Sequence, residues 1–162
     1  MTTEQEDLAI SSICVFCGAS MGAADIYKTA ASTFGRILAE AGVDLVFGGG
    51  QIGLMGELAN ANLAHNGKVI GVIPRHLNDV EIAHPGLTQL HVVEDMHKRK
   101  EMMFRLSDAM VALPGGFGTL EEILEVITWK QLGMHNKPII IVNVGGYWDS
   151  LISLLDLSLI HI

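Results

Sequence analysis

The sequence lacks the marks of several protein classes. No apolar run approaches the ~18 residues that a membrane span needs; Ile139 to Val142 is typical of the longest. The opening MTTEQEDLAI is acidic where a secretory leader would be basic and then apolar, so a cytoplasmic protein is expected. Basic charge is scarce as well. Ten Lys and Arg face eighteen Asp and Glu, for a net charge of −8, and such a chain repels a nucleic-acid backbone. That balance still permits one small anion held locally. Cysteine is limited to Cys14 and Cys17, a C-x-x-C spacing shared by thioredoxins and zinc sites. The pair lies in the apolar run Ile13 to Phe16, read as a strand, where residues three apart point to opposite faces. With no second C-x-x-C to complete a zinc site, both are expected to be buried structural thiols.

Other signatures are missing too. The seven histidines show no pair at metal-ligand spacing on one helix. Neither a G-x-S-x-G elbow nor a G-x-x-x-x-G-K-[ST] loop occurs, which leaves serine hydrolysis and an ordinary ATPase without support. There is no internal repeat and no low-complexity linker.

What remains is a chain of 162 residues, 49% apolar, with strands and helices in alternation. Its size suits one domain, burying about 70% of the surface of the unfolded chain. Residues 1 to 9 read as a polar tail. Strands are expected at Ile10–Phe16, Val43–Phe47, Lys68–Ile73, Gln89–Val93, Met110–Leu113 and Pro138–Val142. Helices are expected at Ile26–Ala41, Leu54–His65, Met96–Leu106, from Thr119 and from Tyr147. Pro74 to Gly86 lacks periodicity and reads as a long functional loop with a helical turn. Uniformly apolar strands alternating with helices imply a Rossmann-like, doubly wound α/β fold, its mostly parallel sheet covered by helices on both faces. Ligands of such folds sit at the carboxyl ends of the strands.

Three glycine-bearing turns fall at that edge: Gly18-Ala19-Ser20, Gly48-Gly49-Gly50, and the stretch from Pro114 to Gly118. Gly48, Gly50 and Gly53 satisfy G-x-G-x-x-G, but the next strand ends Val72-Ile73-Pro74-Arg75, without the acid that binds a dinucleotide's ribose. Close helix–sheet packing is the plainer reading. In AMVALPGGFGTLEE, Ala109 to Glu122, a buried strand breaks into a glycine-rich turn and then a helix. Bare amides and a helix dipole there form an anion site, with Glu121 and Glu122 on the first turn. Thr119 to Glu122 also fits a capping box, so capping and catalysis are both open for Glu122. Arg99 and Lys100 fit a solvated helix face, although their helix follows a strand bordering the same crevice.

PGGFGTLEE with the upstream MHKRK resembles the LONELY GUY proteins, cytokinin riboside 5'-monophosphate phosphoribohydrolases. The similarity continues through FCGAS, FGGGQIGLMG, VIGVIP, HPGLTQLHVVEDMHKRKEMM and EVITWKQLGMHNKPI, from Ile13 to about Leu155. The resemblance implies hydrolysis of the N-glycosidic bond of a nucleoside 5'-monophosphate to free base and ribose 5-phosphate. It makes Arg99 and Glu122 the catalytic pair. Glu81, Lys100, Thr128 and the loop Gly116, Phe117, Gly118, Thr119, Leu120 and Glu121 become substrate contacts. The 5'-phosphate would rest on the amides of Gly115 to Thr119, with Gly18, Ser20 and Gly49 lining the crevice. It also implies a homodimer whose subunits both build the site edges, and no cofactor or metal.

The carboxylate suits that chemistry, because breaking a ribosyl C–N bond develops positive charge on the sugar. Arg99 would orient substrate or carboxylate, since a guanidinium is a poor acid at neutral pH. Relatives are often labelled lysine decarboxylases, yet none of Lys28, Lys68, Lys98, Lys100, Lys130 and Lys137 sits in an obvious pocket for a Schiff base. Met21, Met55, Met102, Met103 and Met134 fit either the core or a pocket for a prenyl tail. A general nucleotide nucleosidase, a non-catalytic nucleotide carrier and a dinucleotide enzyme stand as alternatives. The end of the chain, Leu155 to Ile162, departs from the family, which continues through a further helical segment, and is expected to be truncated or altered.

Overall fold

The computed structural model describes residues 9–78 and 82–157, so all but Ala9 of the expected tail, Glu81 and the last five residues lie outside the described part. In order the elements are β1 (Ser12–Phe16), α1 (Asp25–Glu40), β2 (Asp44–Phe47), α2 (Gly53–Ala64) and β3 (Val69–Pro74). A short α3 (Arg75–Leu77), β4 (Gln89–Val93), α4 (Met96–Arg105), β5 (Ala109–Ala112), α5 (Phe117–Gln131), β6 (Ile139–Ile141) and α6 (Asp149–Leu157) follow. The described strands form one parallel sheet in the order β4-β3-β2-β1-β5-β6. Among the described residues no helix is long and apolar enough to cross a membrane.

Alternation along the strands builds two cores. Val15, Leu45, Phe47, Val69 and Val111 face one layer, with Ala31 and Leu38 of α1 and Leu58 and Ala59 of α2. Cys14, Val46, Ile70, Val72 and Met110 face the other, with Met103 of α4 and Ile123 and Val126 of α5. Cys14 and Cys17 fall in different cores, as the strand geometry predicts, and both are buried free thiols. On the first face α1 and α2 touch at Gly35, where a Cβ would lie 2.3 Å from the Leu58 carbonyl oxygen. Asn62 Nδ2 donates to Gly35 O at 3.0 Å across the same contact.

Three boundaries differ from the sequence reading for identifiable reasons. The first strand starts at Ser12 because the amides and hydroxyls of Ser11 and Ser12 all donate to Asp108 Oδ2, at 2.9–3.1 Å. The last helix starts at Asp149, after a turn in which Gly145 and Gly146 take left-handed φ of 57° and 79° and Asn143 Oδ1 accepts from Trp148 N–H. The third correction concerns α5. It begins at Phe117, with Gly116 at the cap position and no side-chain cap bond. Thr119 is therefore inside the helix, buried against Gly115, and the capping box does not form. Glu122 moves from the first turn into the second.

Candidate functional site

Successive strands step from β1 outward to β4, and the chain then returns to place β5 on the other side of β1. That reversal opens a crevice between the carboxyl ends of β1 and β5, the place where doubly wound folds take ligands. A cavity of about 260 Å³ lies there. Arg99 and Glu122 line it from α4 and α5, together with Gly18, Gly116, Gly118 and Thr119. Met55, Met96, Met103 and Leu77 supply apolar wall, and Val15, Phe16, Cys17, Ala19 and Gly48 also line the cavity.

Arg99 is held by backbone. Asp95 caps α4 by accepting from Lys98 N–H at 2.8 Å, which sets the first helical turn under the sheet edge. One turn on, Arg99 Nε donates to Val72 O at 3.0 Å and Nη2 to Gly48 O at 2.6 Å, with the residue 4% exposed. These are charge-assisted bonds, each worth about 1.5–3 kcal/mol. Gly48 is needed for the approach, because a Cβ there would lie 2.3 Å from Arg99 Nη2.

Across the cavity, α5 presents its N-terminus. Its first backbone bond beyond the turn runs from Leu120 N–H to Gly116 O, so the amides of Phe117, Gly118 and Thr119 precede the helical ladder. A Cβ at Gly116 or Gly118 would meet nothing within 4 Å, so no protein atom requires glycine there. Glu122 sits one turn deeper. Burial, then the charge of Glu122, pushes the thiols of Cys14 and Cys17 well above the usual range, and Glu122 shares the cavity lining with Cys17.

The remaining expected residues separate into groups. Gly18, Ser20, Gly115 and Gly116 line a neighbouring cavity of about 350 Å³ with Tyr27, Leu54 and Tyr147. Lys100 instead bridges α4 to α5, donating to Glu121 and, at 2.8 Å, to Glu125. Burial draws its pKa down, but the bonds to the two carboxylates outweigh that and hold it above the ordinary value. Phe117 is 92% exposed, and Thr128 is exposed with its hydroxyl donating to Leu124 O. Lys100, Phe117, Leu120, Glu121 and Thr128 line neither cavity. Of the methionines weighed for a pocket, Met55 and Met103 reach the cavity; Met96 was not among them, and its neighbour Arg99 was the available signal.

Gly49 belongs to a braced turn. His84 N–H donates to Gly49 O at 2.9 Å and Gln51 N–H to Ile82 O at 3.3 Å, around a bridge between Gly50 and Ala83. His84 is itself fixed: Nδ1 accepts from Gly86 N–H at 3.1 Å, leaving Nε2 to donate to Asn60 Oδ1 at 2.7 Å. The α2 amides that a dinucleotide would use are occupied, Leu54 N–H by Ser20 O and Met55 N–H by Gly18 O, both at 3.3 Å. Gly53 lets that contact form, since a Cβ would lie 2.3 Å from the Ala19 carbonyl carbon.

A family model described as "Possible lysine decarboxylase" matches residues 55–161. The cytokinin riboside 5'-monophosphate phosphoribohydrolase of Rhodococcoides fascians is 50% identical over 146 residues, covering 90% of this chain and 74% of that protein. A protein of Oryza sativa subsp. japonica described as a probable cytokinin riboside 5'-monophosphate phosphoribohydrolase is 49% identical over 144 residues. That match covers 89% of this chain but 65% of the rice protein, and a second rice relative is covered over 59% of its length. Among solved structures, the molybdenum cofactor binding protein of Rippkaea orientalis superposes with a TM-score of 0.69 at 23% identity. The superposition covers 89% of this chain and 83% of that one, a likeness of fold.

Proposed function

The chain belongs to the LONELY GUY family of cytokinin riboside 5'-monophosphate phosphoribohydrolases, and we propose that it hydrolyses the N-glycosidic bond of an adenosine 5'-monophosphate bearing an N6 substituent. The observation that carries this reading is the meeting of Arg99 and Glu122 in one cavity beside the open N-terminus of α5.

The 5'-phosphate rests on the amides at the start of α5, where backbone donors and the helix dipole favour an anion. This places the ribose over Glu122. As the C1'–N bond lengthens, positive charge grows on the sugar, and the fixed carboxylate stabilises it. Glu122 also orients the attacking water. The water's oxygen bonds to C1' as the electrons of the C1'–N bond leave with the base; the proton that the water sheds balances the one the base gains, and ribose 5-phosphate and free base result. Arg99, anchored on two carbonyls, fixes the approach of substrate toward the carboxylate. Met55, Met96, Met103 and Leu77 offer an apolar wall to the N6 substituent.

The label of lysine decarboxylase implies pyridoxal phosphate, and the residues do not fit it. No lysine lines either cavity, and buried Lys100 is committed to Glu121 and Glu125, so nothing is positioned to form the Schiff base.

The working unit in this reading is a cytoplasmic homodimer. Thr128 supports it: the family pattern makes this residue a substrate contact, yet it is exposed on α5 outside its own cavity, open to a second copy. The deciding experiment incubates the purified protein with AMP and with isopentenyladenosine monophosphate and follows free base by chromatography. Preferential release of isopentenyladenine supports the reading. Equal release makes the protein a general nucleosidase, and binding without release makes it a carrier.

A further inference from the structure

The turn before α5 is held from two sides by bonds that use consecutive carbonyls. Pro114 O accepts from Gly18 N–H at 3.0 Å, and Gly115 O accepts from the Tyr147 hydroxyl at 2.5 Å. Tyr147 comes from the segment after β6, thirty-two residues along the chain from Gly115. Its ring is fixed in turn, edge-on to Tyr27 of α1 with centroids 5.2 Å apart, and edge-on to the buried Trp148 at 4.8 Å.

A trans peptide is planar, with C=O and N–H pointing in opposite directions. A donor that captures Gly115 O therefore directs Gly116 N–H away from itself. Tyr147 stands in the 350 Å³ cavity, and Gly116 lines both that cavity and the one containing Arg99 and Glu122. Glycine resists rotation of its flanking peptides less than other residues, so the Gly115–Gly116 plane needs an external hold. The phenol supplies it, and by polarising the carbonyl it also strengthens the N–H of the same peptide.

We propose that Tyr147 is a positioning residue for the phosphate: its hydroxyl fixes the Gly115–Gly116 peptide so that Gly116 N–H joins the anion-binding amides of α5. This rests on the reading of that N-terminus as the phosphate site. The segment after β6 is thus part of the binding apparatus without touching substrate.

The test compares wild type, Tyr147→Phe and the control Tyr27→Phe, which keeps the ring contact. Steady-state hydrolysis of AMP and of adenosine is measured alongside calorimetric binding of ribose 5-phosphate. One lost hydrogen bond predicts that Tyr147→Phe weakens ribose 5-phosphate binding and raises the KM for AMP roughly three- to tenfold. Its kcat stays within about twofold, adenosine turnover is unaltered, and Tyr27→Phe behaves as wild type. Equal losses on AMP and adenosine, or unaltered ribose 5-phosphate binding, overturn the proposal. If wild type fails to hydrolyse AMP, the nucleotide-hydrolase reading falls, while the calorimetric comparison still decides the role of Tyr147.

Discussion

Two glycine-rich turns stand at the same sheet edge, one leading into α2 and the other into α5, and by sequence each could be a phosphate loop. Their amides have different fates. In the first, Leu54 and Met55 N–H groups are spent on the carbonyls of Ser20 and Gly18, and Gly53 sits at φ +69° pressed against Ala19. In the second, the amides of residues 117–119 precede the helical ladder, and Gly116 and Gly118 face open space. Gly53 in the first turn answers to the protein's own backbone; in the second, Gly115 is packed on Thr119, but Gly116 and Gly118 leave room for something else. What a Cβ would strike separates the two where spacing cannot.

The sharpest way to test this contrast is through the acid on the open side. Glu122→Gln should lower kcat for nucleotide hydrolysis roughly 10²–10³-fold while binding persists, measured by base release and calorimetry. A normal rate would remove the catalytic assignment. Next, Gly53→Ala should cost about 2–4 kcal/mol of stability in a denaturant titration, because Ala is strained at positive φ and its methyl group meets backbone. Gly118→Ala reverses that pattern. It should leave stability unchanged or slightly higher, as Ala suits a helix, yet raise the KM for AMP roughly tenfold, a loss of ~1.4 kcal/mol. If Gly118→Ala unfolds the protein and Gly53→Ala does not, the contrast is inverted.

The smallest effect concerns the brace behind the first turn. Burial lowers the His84 pKa below its ordinary 6.5, and the ring is held neutral between Gly86 and Asn60. The unfolded chain binds this proton more readily, so the contribution is complete above the unfolded pKa and is lost as pH falls toward the folded one. The melting temperature should therefore decline as pH falls through and below the ordinary histidine range, and His84→Gln should flatten that decline by a few degrees. Asp95 and Asp108, both held below the usual carboxylate range, act at more acid pH, outside this window.

Much of the fold was legible because apolar runs and glycine punctuation are local signals, and strand parity alone put Cys14 and Cys17 on opposite faces. The start of α5 was less so: Thr119 and Glu122 imitate a capping box, but packing turns the Thr119 side chain into the Gly115 turn. The bridge from Lys100 to Glu121 and Glu125 depends on how α4 lies beside α5, which no spacing encodes. Tyr147 was invisible for a similar reason. Its partner is a backbone carbonyl in another element, and backbone carbonyls carry no sequence identity.

The separation of the two cysteines has a use of its own. One thiol lies under the α4/α5 layer and the other under the α1/α2 layer, and burial keeps both protonated and inert. Cys14, which lines no part of the Arg99–Glu122 cavity, is then a clock for the layer above it, whereas Cys17 also borders that cavity and reports on the crevice. In a variant keeping only Cys14, the rate at which a thiol reagent modifies it times the opening of the α4/α5 side of the sheet; in one keeping only Cys17, protection by a nucleotide reports occupancy of the crevice.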